Sequence, residues 1–406
     1  MSKDNTVLRE KPATIWNRAF IAVFVVNLFM NMGQQTAHTL IGKFAGSLGA
    51  AASLIGLISG LYAGIALAMR PFTSPLYDIV NKKKLLAVAI ACIAAAYTLF
   101  ALAKSIPLVI VGRCLQGVGV GCSAPLSMAI VCESLPDDKY GKGVTIFSLA
   151  QAFGQAIGPS VGLAISNRYG YSTTFWICTG LMLIAFALCF ICSDTYVAPD
   201  ARYKIRFDTI LIKDAIPAAL LLTFLAMSYS TINALLTIYG GLRGIDGIGI
   251  YFTVYAIGLL VLRPLVSGLA DKHGYVKVIV PSLILFSMTF LLFSLAKSIV
   301  LIIAAAVVAA LGYGMAQPSI QALCMKMVPR DRSGVGANTM FFMQDIGQFL
   351  GPTIAGAVVD MFLRSGMTDV NAYASSYRFM MIPLIAAAVI AFLLRNVYKK
   401  NIKNSK

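Results

Sequence analysis

A single carboxylate stands well inside an apolar stretch near the C-terminal end of the chain. Asp345 lies in the segment FFMQDIGQ, residues 341–348. If this stretch crosses a membrane, a charge there costs at least about 2.5–3.5 kcal/mol, so the group should face a cavity or a partner. We expect Asp345 to bind and release a proton or to pair with a cationic group of a solute. The alternatives are a structural ion pair and an anchor for a polar network.

Arg113 is the one basic residue that lies deep in an apolar stretch. A guanidinium does not lose its charge in proteins, so Arg113 needs an anion or strong acceptors. The candidates are Asp345, a solute carboxylate, or backbone carbonyls of the first apolar stretch. The alternative to a role in coupling is a hydrogen-bonded hub that fixes neighbouring helices.

Five apolar stretches also carry polar side chains at intervals of three or four residues. This spacing places them on one helix face, and amides do not face lipid. We predict that these faces line one cavity and bind a solute, with hydrogen bonding between helices as the alternative. The predicted binding residues are Asn27, Asn31, Gln34 and His38 in 18–40, Gln151 and Gln155 in 144–166, Tyr229 and Asn233 in 215–240, Tyr313 and Gln317 in 299–327, and Gln344 and Gln348 in 336–363. His38 lies near the end of its stretch, where a polar residue with satisfied hydrogen bonds is the more frequent case.

Other chemistries find no support in the sequence. The glycines of GVGVG, residues 117–121, lie inside an apolar stretch rather than between a strand and a helix, so they do not predict a dinucleotide site. No set of His, Cys and acidic residues has metal-ligand spacing, and no nucleophile has an evident base. We therefore expect neither an enzyme nor a cofactor, and the energy source would be a gradient of an ion or a solute.

The elements that position these residues are predicted to be membrane-spanning helices. Charged residues make up 12% of the chain and apolar residues 59%, with a mean hydropathy of +0.81. Apolar stretches of about 20 residues are long enough to cross a bilayer. The sequence predicts an all-α membrane protein with twelve spans, at residues 18–40, 53–75, 85–103, 107–132, 144–166, 172–192, 215–240, 247–268, 278–296, 299–327, 336–363 and 374–395.

The basic residues indicate the orientation of these spans. Of the 33 Lys and Arg residues, 23 fall in the segments predicted to lie inside and 7 in those predicted to lie outside. An excess of basic residues on one side is typical of cytoplasmic loops. Both termini are therefore predicted to be cytoplasmic, and the net charge of +17 does not indicate nucleic-acid binding.

The chain also repeats itself at an offset of 193 residues. Residues 70–78 (RPFTSPLYD) recur as 263–271 (RPLVSGLAD), and the match continues without a gap for about ninety residues. The repeat divides the chain into an N-terminal six-helix bundle (1–192), a cytoplasmic linker (193–214) and a C-terminal six-helix bundle (215–406). Because both halves start on the same side, they should be related by a parallel pseudo-two-fold axis and enclose a cavity at the membrane midplane.

These motifs resemble those of the major facilitator superfamily over nearly the full length. Residues 268–274 (GLADKHG) match its loop motif, and its first-half copy has Pro75 where Gly is usual. Residues 113–119 (RCLQGVG) look like the motif of proton-coupled members. Residues 154–162 (GQAIGPSVG) look like the antiporter motif, except that Leu163 replaces a second Gly. The resemblance implies a monomeric, proton-driven exporter in the cell membrane, with Arg113 relaying coupling between proton and solute.

The same resemblance implies a gate at the two inner loops. Asp78 and Asp271 would close the cytoplasmic side by pairing with basic residues and helix N-termini of the opposite bundle. Arg70 and Arg263 lie about two turns earlier and are candidate partners. Solvated loop charges are the alternative.

Three functions remain open at this point. The first is proton-coupled efflux of a small amphiphilic or organic solute, such as a drug or a metabolite. The second is a proton-linked importer or a solute exchanger on the same fold. The third is a membrane sensor that does not transport.

Overall fold

The computed structural model describes residues 14–73, 76, 80–136, 140–191, 211–266, 269–328 and 333–404, and within these ranges the regular structure is helical. The helices are α1 (Arg18–Ser47), α2 (Ala52–Thr73), α3 (Lys82–Leu102), α4 (Ile106–Ser134), α5 (Tyr140–Cys189), α6 (Ile216–Leu242), α7 (Ile250–Val266), α8 (Leu269–His273), α9 (Tyr275–Leu295), α10 (Ile299–Lys326), α11 (Ser333–Arg364), α12 (Asp369–Phe379), α13 (Met381–Leu393) and α14 (Arg395–Asn404). Most of the predicted linker lies outside these ranges.

Within the described residues, ten helical segments are long and apolar enough to cross a membrane, and Ile250–Leu262 is a shorter apolar helix. The predicted fifth and sixth spans both lie in α5. They are separated by Gly170 alone, whose backbone leaves the helical conformation at φ 85° and ψ 168°. A residue with a side chain rarely adopts this positive φ, so glycine permits this kink in α5 without a loop.

Local signals explain several helix boundaries. The side chain of Asn17 accepts a hydrogen bond from Phe20 N at 2.9 Å, and that of Asn81 accepts from Lys83 N at 3.0 Å. Such caps satisfy amide groups that have no partner inside the helix. Gly274, at φ 93°, separates the short helix α8 from α9.

Within each half, glycines let two helices pack backbone against backbone. In the first half, a Cβ atom at Gly158 of α5 would lie 2.8 Å from Met32 O of α1, while Thr36 Oγ1 donates to Gly158 O at 2.8 Å. In the second half, a Cβ atom at Gly351 of α11 would overlap Met227 O of α6. Gly158 and Gly351 are 193 residues apart, so the sequence repeat places the same close contact in both halves.

Two seams join the halves, and they differ in tightness. The α2–α11 seam is close: Gly56 lies against Pro352 O and Gly356 Cα, and a Cβ atom at Gly60 would lie 2.5 Å from Phe349 O. In the α5–α7 seam, Leu163 stands at the position equivalent to Gly356, and a Cβ atom at Gly249 would meet side-chain atoms of this leucine, Cδ1 at 3.3 Å and Cβ at 3.9 Å. The leucine side chain therefore keeps the backbones of the second seam further apart than those of the first.

Among the described residues, several contacts between the halves lie toward one end of the bundle. Where α1 and α6 finish, Gly42 lies against Ala234 O, and Thr237 Oγ1 donates to Thr39 O at 3.5 Å. Near the same end Ser160 Oγ lies 2.6 Å from Thr253 Oγ1, between α5 and α7. The bundle is thus closed at the end where α1 finishes.

The difference between the seams predicts unequal effects of the same substitution. Gly56→Ala should lower the free energy of unfolding by about 1–3 kcal/mol, because its methyl group would overlap a backbone oxygen that cannot move without the helix. Gly249→Ala, the equivalent change by the 193-residue offset, should have a much smaller effect, since the tip of Leu163 can turn aside. Thermal unfolding of both variants in the same detergent measures this. Equal losses would contradict the proposed difference in seam tightness.

Candidate functional site

A cavity of about 200 Å³ lies between the two halves of the bundle. It is lined by eleven of the twelve predicted binding residues: Asn27, Asn31, Gln34, His38, Gln151, Gln155, Tyr229, Tyr313, Gln317, Gln344 and Gln348. The twelfth, Asn233, lines a smaller adjoining cavity. The polar faces of five helices therefore meet at one place, while their part in binding stays a prediction.

The two walls of this cavity differ in chemistry. The first-half wall is rich in amides, and two of them are paired, with Asn31 Nδ2 donating to Asn27 Oδ1 at 3.0 Å. The second-half wall combines glutamines with stacked rings: the rings of Tyr229 and Tyr313 lie with centroids 4.8 Å apart, and Phe286 supports Tyr313 at 5.5 Å. A solute in this cavity meets hydrogen-bonding groups on both sides and stacked ring faces on the second-half side.

An ion pair across the two halves supplies the charge in the cavity lining. Arg70 Nε, in the last turn of α2, lies 2.6 Å from Asp345 Oδ2 of α11, and the two side chains are 6% and 11% exposed. The guanidinium also lies 5.3 Å from the ring centroid of Phe341. Arg70 Nη1 is buried and has no hydrogen-bond acceptor among the described residues. The pair thus joins the halves and retains a donor beside the cavity.

This ion pair gives Arg70 a partner that the sequence analysis did not name. Arg70 was a candidate partner at the cytoplasmic gate, which stays a prediction because Asp78 lies outside the described residues; the carboxylate that it contacts is Asp345, on a helix of the other half. The reason is geometric: α2 and α11 run antiparallel at close distance, so the last turn of α2 meets the middle of α11. The structural alternative considered for Asp345, an ion pair, is therefore present.

Arg113 is fully buried, and its acceptors differ from those expected. Its Nε and Nη2 atoms donate to the carbonyl oxygens of Ile58 and Ser59 in α2, both at 3.0 Å, and Nη1 donates to Gln116 Oε1 at 2.7 Å. Its backbone partners thus belong to the second predicted span, not the first; its side-chain partner Gln116 lies on its own helix, and none of the three is Asp345. Arg113 does not line the cavity. It ties α4 to α2, which is the structural role considered for it.

A polar chain leads from the cavity toward the closed end. Tyr62 of α2 donates its hydroxyl to Gln348 Oε1 of α11, one turn beyond Asp345. The ring of His38 lies 4.3 Å from that of Tyr62, centroid to centroid. The adjoining small cavity has about 20 Å³, room for one water molecule, and His38 Nε2 and Ser59 Oγ have no hydrogen-bond partner among the described residues.

Comparison with known proteins then decides the family. The model of the Major Facilitator Superfamily matches residues 20–352 and, in a second match, residues 218–406. The chain belongs to the major facilitator superfamily. Its curated relatives are membrane transporters rather than enzymes, which places this chain in a membrane as a transporter of small molecules.

The relatives are distant in sequence but cover most of the chain. The staphylopine export protein of Staphylococcus aureus is 21% identical over 378 residues, 86% of this chain and 91% of its own length. The multidrug resistance protein MdtG of Escherichia coli is 22% identical over 382 residues, covering 90% of this chain and 86% of its own.

Solved structures share the fold at still lower identity. A POT family transporter in complex with a thioalcohol-conjugated peptide has a TM-score of 0.78 at 13% identity, covering 94% of this chain and 96% of its own. The nucleoside transporter NupG has a TM-score of 0.75 at 14% identity, covering 93% and 99%. These likenesses show the fold of a superfamily transporter.

The predicted gate of this transporter falls largely outside the described atoms. Asp78 lies outside the described residues. Arg263 and Asp271 belong to α7 and α8, but the positions of their side chains are not described. The gate therefore stays a prediction for these three residues. Among the described residues, no group of three His, Cys or acidic side chains could hold a metal ion.

Sequence reasoning missed two aromatic residues of the cavity lining. Tyr62 donates to Gln348, and Phe341 lies against the Arg70 guanidinium. Tyr62 lies eight residues, about two turns, before Arg70 and therefore near the same face of α2, a signal that could have found it. Phe341 lies four residues before Asp345, but an aromatic residue in an apolar helix carries no such signal.

The contacts of Arg113 predict a mainly structural phenotype. Arg113→Lys should lower the free energy of unfolding by about 1–3 kcal/mol, because an ammonium cannot reach three acceptors held in the plane of a guanidinium. Thermal unfolding measures the loss, and Arg168→Lys, at an exposed position, is the matched control. Unchanged stability in Arg113→Lys would contradict the hub.

The ion pair predicts non-additive losses. Arg70→Gln alone should lower the free energy of unfolding by about 3–5 kcal/mol, since it leaves a buried carboxylate unpaired. Adding Asp345→Asn should recover much of that loss, because the uncompensated charge is then gone. A double-mutant cycle on thermal or denaturant unfolding gives the coupling. Additive losses would show that the two groups do not interact.

Proposed function

We propose that this transporter works by alternating access and couples the efflux of a small amphiphilic or organic solute, a drug or a metabolite, to proton entry. The observation that carries the proposal is the Arg70–Asp345 pair, which lies in the wall of the cavity and joins the two halves. A group that can lose its charge at this position links protonation to the contact between the halves.

The topology that accompanies this function is part of the proposal. Counting α5 as two spans on either side of Gly170, and adding α7, gives twelve spans in two six-helix bundles, 1–192 and 215–406, related by a pseudo-two-fold axis and joined by a cytoplasmic linker at 193–214. The excess of basic residues assigns both termini to the cytoplasm of a cell membrane. The chain would act as a monomer.

In this orientation the closed end of the bundle is the outer end. The described contacts between α1 and α6 and between α5 and α7 then seal the cavity from the exterior. In this conformation the cavity would open toward the cytoplasm, where an exported solute enters. Rocking of the halves would break the outer contacts. The inner side would then close as Asp78 and Asp271 each pair with basic residues of the opposite bundle.

Exchange of proton and solute follows from competition for one carboxylate. When Asp345 is ionised, it accepts hydrogen bonds from Arg70 and from a solute in the cavity. When a proton binds, the carboxylate loses its charge, its pairing with Arg70 weakens, and a solute held by that charge is released. Antiport requires that the proton and the solute do not occupy Asp345 at the same time. The freed guanidinium finds other acceptors in the amide wall.

Two further observations support efflux of an organic solute. The cavity offers amides on both walls and stacked tyrosine rings on one of them, which suits a solute with both polar and planar parts. Among the relatives, one is named for staphylopine export and another for multidrug resistance. Neither name fixes the solute of this chain.

Transport by the purified chain in proteoliposomes tests the proposal. A solute is first found by screening for ligands that raise the unfolding temperature, since a ligand that binds only the folded state stabilises it. An imposed pH gradient should then drive that solute against its own gradient. Asp345→Asn should reduce the proton-driven flux to the level of empty liposomes, because it removes the group for which proton and solute compete.

The matched control is Asp360→Asn, the same change on the same helix outside the cavity. Asp360 accepts a hydrogen bond from Ser53 N at 3.0 Å, and an amide oxygen can do the same. This variant should transport like the unmodified chain. If proton-driven flux in Asp345→Asn equals that of the control, Asp345 is not the proton-binding group. Flux that follows the proton inward would favour the importer, and binding without flux would favour the sensor.

A further inference from the structure

A second, larger cavity lies outside the central one and shares no lining residue with it. It has about 830 Å³ and is formed where the starting turns of α9 meet the last turns of α10 and α13 and the surface of α14. These helix ends lie at the end of the bundle opposite the seal between α1 and α6. The cavity therefore sits at the boundary between the membrane-spanning helices and the aqueous phase.

One wall of this cavity is a docked helix. Tyr398 of α14 is 2% exposed and its hydroxyl lies 3.5 Å from Pro217 O, while Asn401 Nδ2 donates to Asp214 O at 2.9 Å. Both contacts reach the start of α6. These two contacts dock α14 across the end of the bundle. They thereby fix the position of the basic residues that α14 carries.

The rim of the cavity is basic. His273, Lys277 and Arg395 line it and are exposed, and the Arg395 guanidinium lies 4.7 Å from the ring centroid of Phe392. Among the described residues, the ion pair present is Arg70–Asp345. None of the three rim residues therefore pairs with a described carboxylate. Lys277 and Arg395 therefore have positive charge available for a ligand.

The floor of the cavity is apolar and continues into the lipid-facing surface. Val276, Val280 and Pro281 of α9 face Leu323 of α10 across it. From there the exposed apolar faces of α9 and α13 lead toward the membrane interior, with Phe392 52% exposed. A ligand that enters can extend along these helices without leaving apolar surface.

From this arrangement we infer that the cavity binds an anionic phospholipid, with its phosphate between Lys277 and Arg395 and its acyl chains along α9 and α13. A soluble anion would use the rim and leave the apolar floor uncovered. A zwitterionic lipid would bring a second, positive group to a rim that is already positive. Basic pockets between membrane helices at the cytoplasmic face are suited to anionic head groups.

The bound lipid would fasten α14 to α9 and α13. The head group meets Arg395 at the start of α14 and Lys277 on α9, so it crosslinks elements that otherwise touch through few side chains. The second half would then be stabilised by the composition of the leaflet around it.

Native mass spectrometry of the full chain in detergent, titrated with phosphatidylglycerol or phosphatidylcholine, tests this inference. The unmodified chain should retain phosphatidylglycerol in preference to phosphatidylcholine. Lys277→Gln with Arg395→Gln should weaken that retention by about 30-fold, since each basic side chain near an anionic surface contributes about 1 kcal/mol. Both side chains are exposed, so the fold should persist, which circular dichroism checks.

The matched control is Lys84→Gln with Arg18→Gln, two exposed residues at the same end of the first half. Lys84 is equivalent to Lys277 by the 193-residue offset, and the net charge changes by the same amount. This variant should retain the lipid like the unmodified chain. Val280→Trp keeps every charge but fills the floor, and it should also lose the lipid.

Three outcomes would overturn the inference. The first is equal retention of the two lipids by the unmodified chain. The second is equal loss of phosphatidylglycerol in the cavity variant and in the control, which would mark a general charge effect. The third is displacement of the lipid by millimolar inorganic phosphate together with full retention in Val280→Trp, which would mark a site for soluble anions.

Discussion

Close contact between helix backbones is the constraint on which the rest of this structure depends. In a membrane the backbone hydrogen bonds are satisfied within each helix, and lipid is as apolar as leucine, so burial of apolar side chains gives little reason for helices to associate. Glycines at 158, 351, 56 and 60 bring backbone against backbone instead. That proximity fixes the register of α2 against α11, and the register in turn places Arg70 beside Asp345.

The cavity is a consequence of the same packing. Because the glycine-lined helices meet closely, the polar residues on their adjoining faces are directed toward the space between the halves. There the amides of the first half oppose the tyrosines and glutamines of the second. The charge pair can exist in this surrounding because each partner satisfies the other, and either one alone would be costly.

Much of this arrangement is predictable from the sequence, and the remainder has a physical reason for being hidden. Spacing of three and four residues predicts that Asn27, Asn31 and Gln34 share a face, since helix geometry is local. Which face meets which depends on the offset between helices of different halves, and no local pattern records it. The partners of Arg70 and Arg113 were therefore missed. The carbonyls of Ile58 and Ser59 that hold Arg113 are backbone atoms and leave no trace in residue types.

The exchange of glycine for leucine between positions 356 and 163 has a consequence for how the halves would move. The two-fold axis proposed for the halves would relate the α2–α11 seam to the α5–α7 seam, so two identical seams would resist rocking equally. A side chain that separates the helices of one seam removes this equality. The closely packed α2–α11 seam would then serve as the pivot, and the looser α5–α7 seam would take up more of the displacement.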